Sequence, residues 1–465
     1  MESVPTSARH RTESTAARSL RVAGRLSLAF ALAGCASAPA RVALTGDLPA
    51  LKAAIEQANQ QEALGSGRLE ELASAVLRRE LVSLSAPSDA FPSVALCARE
   101  IRPVLEDVAA SNSDYSADAA LVLLDAGLSA PTPGADNPLG AAAVEARRAI
   151  GPRAGARRRA LMLHGEAEVR RAALAAAADG ADPGDIRALA EAARLDPDAA
   201  ARAIAIRALG RIGGPPSVSA LADLYPAASP EARRETIRAW ASPASFSAGG
   251  REQLEDLAAG PAGEPAVLAA VELEHQVPQA SALAAAALVK AIEGPAREVR
   301  LLALELAPWS EADVRAAIVA AQKHKDPATR VVALLRAAEA GGLDAAGTHE
   351  LEGLASDSVT PVGAVARAAL ADLGKHGVDA ALRADLDAKT QDRRTLAALS
   401  LLALEDWSGA ARALGDDSPE VRRAVACQVL AEPDAGPLRP WSFLTPEFGA
   451  ASSGVVPLLV ASTPG

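Results

Sequence analysis

A pattern of about 31 residues recurs along more than half of this 465-residue chain, and it restricts the fold more than any other feature. Its clearest copy runs from Asp196 to Gly214: an acidic turn, Arg202 about six residues later, an apolar stripe through Ile204, Ile206 and Leu209, and a glycine stop. Copies recur at Glu168-Val169-Arg170, Ser229-Pro230-Glu231-Ala232-Arg233, Gly294-Pro295 to Arg300, Asp326-Pro327-Ala328-Thr329-Arg330 and Asp417-Ser418-Pro419-Glu420-Val421-Arg422. Weaker ones fall at Val365-Ala366-Arg367 and Asp392-Arg393-Arg394, and the stretch near Glu264-Pro265 fills the one long gap. A unit of this length holds two helices of about 12 residues joined by short turns.

The local chemistry agrees. Asp-Pro or Ser-Pro opens the first helix of a unit, the side chain capping free N–H groups and the proline occupying a position that needs none. Apolar residues then return at three- and four-residue intervals, as Val169, Ala172 and Ala173 or Val299, Leu302 and Ala303 show. Alanine supplies roughly a quarter of the chain and aromatics 2%, so the helices must pack closely on small side chains. These features resemble the HEAT repeat family, in particular its short bacterial form with an acidic-Val-Arg helix start followed by Ala-Leu-Gly. The resemblance covers residues 158–433, eight or nine units. It implies an all-α fold, an α-solenoid of stacked antiparallel helix pairs. It also implies that Arg170, Arg202, Arg233, Arg300, Arg330 and Arg422 join neighbouring units by hydrogen bonds, and second helices are expected to line the concave side.

Outside the array, Asp47 is expected to cap a helix from Leu48 to Asn59, with a turn at Gly65-Ser66-Gly67 and a return helix from Leu69 to Leu84. Residues 47–130 then form degenerate repeats or a cap, and 131–157 a linker and helix. Pro131 to Pro138 is the best place for a break. Residues 434–465 form a tail that would cover the last unit, as solenoid ends require. Trp240, Trp309 and Trp407 end helices or begin turns. They either fill gaps where one helix turns into the next, the reading favoured here, or form a row of partner-binding anchors.

The first 35 residues differ. Five arginines between Arg9 and Arg25 precede an uncharged run, Leu26 to Ala33, too short to span a bilayer. The following Leu32-Ala33-Gly34-Cys35 resembles the lipobox of bacterial lipoproteins. That resemblance implies removal of residues 1–34, lipidation of Cys35, a tether over 35–46 and, with Ala36 in place of the aspartate that retains enterobacterial members, an outer-membrane address. Cys97 and Cys427, more than 300 residues apart, read as small buried hydrophobes, since an elongated molecule would keep them apart.

Chemistry is hard to find. No nucleophile elbow, phosphate loop or cysteine metal spacing is present. Among six histidines only His349-Glu350 has the order used by HEAT-type di-iron enzymes, and one pair supplies too few ligands. His324, between Lys323 and Lys325, reads as a solvated loop, and Arg157-Arg158-Arg159 as a solvated helix end. A net charge of −11 opposes binding to nucleic acid. The expectation is a monomeric, non-catalytic envelope scaffold without a cofactor, anchored to the outer membrane by lipid and binding a protein or peptide. A HEAT-type lyase or hydroxylase is the alternative.

Overall fold

The computed structural model describes residues 37–61, 64–82, 94–99, 101–111, 115–132, 137–276, 282–358 and 360–431. The lipobox, Cys35 and the tail after Ala431 lie outside them, so those expectations stay untested. Among the described residues every regular element is helical. Six helices among the described residues precede the array: α1 (Ala38–Thr45), α2 (Leu48–Gln60), α3 (Ser66–Val82), α4 (Arg102–Ala109), α5 (Ser116–Asp125) and α6 (Pro138–Arg148). After the short α7 (Gly155–Leu161) come paired helices: α8 (Ala167–Gly180) with α9 (Ile186–Leu195), α10 (Ala199–Ile212) with α11 (Gly214–Leu224), and α12 (Pro230–Ala241) with α13 (Arg251–Ala259). Next are α14 (Glu264–Gln276) with α15 (Ala282–Glu293), α16 (Arg297–Leu306) with α17 (Ala312–Ala321), and α18 (Pro327–Glu339) with α19 (Ala345–Ala355). The last are α20 (Pro361–Asp372) with α21 (Asp379–Asp385), α22 (Gln391–Ala403) with α23 (Trp407–Ala413), and α24 (Pro419–Leu430). Helix α14 occupies the long gap in the arginine spacing.

The capping chemistry acts where the sequence places it. Asp47, Asp198, Ser229, Asp326 and Ser418 are N-caps whose side chains accept from N–H groups two or three residues on. Proline follows directly in four of these helices or sits at their second position. The glycine of Ala-Leu-Gly has a packing reason: at Gly210 a Cβ would stand 2.7 Å from the Ala239 Cα of the next first helix. Small residues therefore set the helix spacing as well as fill the core.

First helices form the inner layer. Helix α20 is buried continuously from Gly363 to Ala371, and α18 buries eight of its residues, whereas the second helix α9 buries only Leu189 and Ala193 and α19 only Gly347, Leu351 and Ala355. Second helices such as α9 and α19 thus keep a single apolar stripe, although α15, with six buried residues, is as enclosed as the first helix α10.

The stack does not end; it closes. First helices pack successively from α8 to α24, and α24 then packs along α3. Contacts continue through α4 and α5 to α6, which lies against α8; the expected break at Pro131 to Pro138 falls largely on residues 133–136, outside the described residues. Cys97 and Cys427 are joined by a disulfide, with Cα atoms 5.6 Å apart. The two are thus bonded rather than separate hydrophobes, because closure brings together residues that an elongated array would hold apart. The face of α24 that the tail was to cover is covered by α3. Within the stretch expected as a tether, α1 is a packed helix with Pro39, Ala40 and Ala43 buried, and the Ser37 N–H donates to Glu71.

The seam has a polarity of its own. At ordinary junctions first helices run parallel: Arg211 and Arg147, both in the last turn of their helices, reach Asp179 near the end of α8. Across the seam, Asn59 at the end of α2 donates to the Ser408 carbonyl at the start of α23, while Lys52 pairs with Asp417 beyond the end of α23. Glu80, at the end of α3, pairs with Arg422 in the first turn of α24. The hairpin α2–α3 therefore docks antiparallel to α23–α24.

Candidate functional site

The most regular chemistry in the molecule is a ladder of arginines. Arg170 Nη1 donates to the carbonyls of His164 and Gly165, in the turn before its own helix, at 2.9 and 2.8 Å. Its Nε and Nη2 donate to Asp196 at 2.8 and 2.9 Å. Asp196 belongs to the next turn, and its carbonyl in turn accepts from Arg202 at 2.7 Å. Arg170 thus ties a turn, a helix and the following turn, whereas Arg202 and Arg233, expected to join neighbouring units, bond carbonyls of the turns before their own helices. Arg394 with Asp416 repeats the Arg170 geometry, while Arg330 donates through Nε to Glu350 inside the second helix of its own unit. Arg300 reaches the Gly294 carbonyl and Thr329 Oγ1, and Arg233 the carbonyls of Tyr225 and Pro226. Arg422 carries the ladder across the seam, bonding the Asp416 carbonyl and Glu80.

Electrostatics follow. Burial opposes ionisation of Asp196, but Arg170 and the Asp198 N–H hold its carboxyl below the usual range. Bonding to Asp196 raises Arg170 further. Such charge-assisted, bidentate pairs are the strong class of hydrogen bond.

Three rungs were hidden in the sequence. Arg158, read as part of a solvated end, is fully buried; it bonds the carbonyls of Ala149, Ile150 and Gly151 and pairs with the equally buried Asp185. Arg157 remains exposed against Glu145, and Arg159 reaches Asp185. Arg367, in a weaker copy, is buried and bonds Asp385 through Nε and Nη2. Arg147 joins Asp125 to Asp179. For Arg158 and Arg367 the signal that could have found them is the same offset, an arginine seven to twelve residues after a turn carbonyl and a carboxylate one helix on; Arg147, bonded to a carbonyl 23 residues before it, carries no such signal.

The tryptophans do not form an exposed row. Trp240 is buried, its ring centroid 5.3 Å from that of Tyr225. Trp309 is half-buried against Gly342, and its carbonyl accepts from Arg315. Trp407 is half-buried at the start of α23, packed on the core. These are gap fillers where helices turn.

The histidines are placed just as plainly. His164 and His324 occupy equivalent turns, and each Nδ1 accepts an N–H two residues on, from Glu166 and Asp326. Burial and the Arg300 charge hold His324 below its ordinary value, so the ring keeps the free lone pair this bond uses, and it is half-buried rather than solvated. His349 projects outward while Glu350 is taken by Arg330, so the pair does not converge. Among the described residues no group of three His, Cys, Asp or Glu side chains could hold a metal ion, and no helix is long and apolar enough to cross a membrane.

Desolvation raises three carboxyls: Glu272 and Asp118, which are half-buried, and Asp372, which is exposed. Glu272 is pushed up to about 7 by desolvation against a weaker opposing pull from Arg238. Desolvation also raises Asp118 and Asp372 to about 6, with Glu168 and Glu339 adding to it. A raised carboxyl binds its proton more tightly when folded, so its contribution falls as pH rises from the ordinary value near 4.5 through 7. Glu272→Gln is expected to flatten that decline and raise stability at pH 8 by about 1–2 kcal/mol. Urea midpoints at pH 5 and 8 measure it.

Residues 157–241 match a family model described as HEAT repeats. No curated protein matches the chain. Among solved structures, an engineered protein aligns at 20% identity over 76% of this chain and 98% of its own, with a TM-score of 0.24. The family match coincides with three consecutive units, α8 to α12, whose ladder arginines Arg170, Arg202 and Arg233 all cap their own turns. Residues 157–241 thus carry the HEAT-repeat pattern, and the described helices stack in pairs as an all-α solenoid.

Proposed function

We propose that this protein is an exported scaffold, anchored by lipid on Cys35 to the bacterial outer membrane, that binds a protein or peptide on the outward face of its ring without catalysing a reaction. The Cys97–Cys427 disulfide carries the export reading. Disulfides of this kind persist in oxidising compartments such as the periplasm and are rare in the cytosol. The arginine-led apolar run ending in Leu32-Ala33-Gly34-Cys35 supplies the matching address. Helix α1 is docked by Ser37, two residues after Cys35, so an acyl chain there would hold the body close to the bilayer. The scaffold reading rests on the repeats and on charged groups consumed by the ladder rather than gathered in a cleft. Solvent-facing second helices offer the binding surface, and Leu163 and Leu195, 79% and 68% exposed in turns one unit apart, are its most prominent apolar points.

The test is Cys35→Ser in the native host. The variant is expected to lose incorporation of a labelled fatty acid and to leave the membrane fraction for the soluble one. Unchanged label and fractionation would remove the anchor from the proposal. Crosslinking the wild type and identifying what is captured on α9, α11 or α13 tests the scaffold half.

A further inference from the structure

The seam between α3 and α24 leaves a buried cation short of partners, which bears on control. At two junctions inside the array the residue after a ladder arginine is also an arginine and finds an acid in the next unit: Arg171 pairs with Asp198, the N-cap of α10, and Arg234 pairs with Glu264, the first residue of α14. The equivalent residue in α24 is Arg423. Its neighbour α3 runs the opposite way and presents a helix end where a helix start would stand. Arg423 is 2% exposed, its Nε and Nη1 are buried without a hydrogen-bond partner, and its Nη2 reaches only Glu420 of its own helix at 3.4 Å. The seam is a substitute junction that desolvates a guanidinium without repaying it. Its other polar contacts include the exposed pair Lys52–Asp417, which salt screens. The Cys97–Cys427 bond ties the chain across this place.

We propose that the Cys97–Cys427 disulfide is a redox latch: oxidised, it keeps the α2–α3 hairpin on α24; reduced, it lets the hairpin leave and uncovers the inner face of α24. A dithiol supplies the two electrons and two protons. Its thiolate attacks Cys427 Sγ, the less buried of the two sulfurs, and Cys97 leaves as a thiolate and takes up a proton. The second thiol of the reductant closes on the mixed disulfide, releasing Cys427 as a thiol and the reductant as its own disulfide. Opening leaves the array intact, because α8 to α22 keep both neighbours. The latch rests on the bridge and the seam, independently of lipidation, so failure at Cys35 leaves it standing.

Hydrogen exchange on the full chain, before and after dithiothreitol, tests it, with mass spectrometry confirming that the protein has gained two hydrogens. Peptides from 66–82 and 419–430 are expected to exchange about tenfold faster or more after reduction, while 199–212 stays unchanged. Oxidised glutathione should restore protection. Cys427→Ala should behave as the reduced protein under all conditions. Arg423→Met, which removes the unpaired guanidinium, should slow exchange at the seam of the reduced protein. Unchanged seam exchange after confirmed reduction would overturn the latch, and so would equal acceleration in 199–212, which would make the bond a general staple.

Discussion

Arg158→Met is expected to destabilise the protein by about 3–5 kcal/mol, because a buried ion pair is costly to break by halves. Both Arg158 and Asp185 have no measurable exposure, and the guanidinium also satisfies the carbonyls of Ala149 and Ile150 at 2.7 and 3.0 Å. Methionine fills much of the volume, yet it leaves Asp185 a buried charge whose remaining cation is Arg159 at 2.9 Å, and it strands the carbonyls. The neighbouring Arg157→Met changes an exposed pair with Glu145 and is expected to stay within about 0.5 kcal/mol. Urea midpoints for the two variants measure the contrast; equal, small shifts would show that Arg158 carries no such weight.

Gly210→Val is expected to cost about 3 kcal/mol by the opposite route, overpacking. A Cβ at Gly210 meets the Cα, Cβ and carbonyl oxygen of Ala239 at 2.7 to 2.8 Å, and backbone cannot rotate aside as a long side chain can. Helices α10 and α12 must separate, and the Ser242 and Ser245 hydroxyls that bond the Gly210 carbonyl separate with them. Gly353→Ala is the control: nothing lies within 4 Å of the added carbon, the residue sits inside α19, and alanine should gain about 0.5–1 kcal/mol through helix propensity. Opposite signs for two glycine substitutions in one thermal-melt series would separate packing from backbone entropy.

The repeat, its caps and its ladder were legible because they are local. Asp198, Ser229 and Asp326 cap helices wherever the chain goes next, since the groups they satisfy are two or three residues away. Arg202 bonding the Asp196 carbonyl is local in the same sense. The triple arginine at 157–159 was misread because three adjacent cations suggest solvent, while the helix phase against α9's leading turn decides which one enters the core. Arg367 was underrated because its turn lacks the acidic-Pro opening, although Asp385 waits one helix on. The degree of burial was hard to read for a related reason: an Ala-rich helix such as α20 shows no strong stripe, and being buried along its length is what erases it. Closure was beyond local reading. No 31-residue period records how many units complete a turn, and the pairing of Cys97 with Cys427 depends on that total.

Closure also changes how such a molecule comes apart. A linear array has two free ends, each with a single neighbour, and it frays from them one unit at a time. With α24 seated on α3, each unit is flanked on both sides, so the first rupture must cut the circle rather than peel a terminus. The least costly cut passes through the antiparallel join, which makes the oldest and youngest parts of the nascent chain the last to find each other during folding and the first to part under stress.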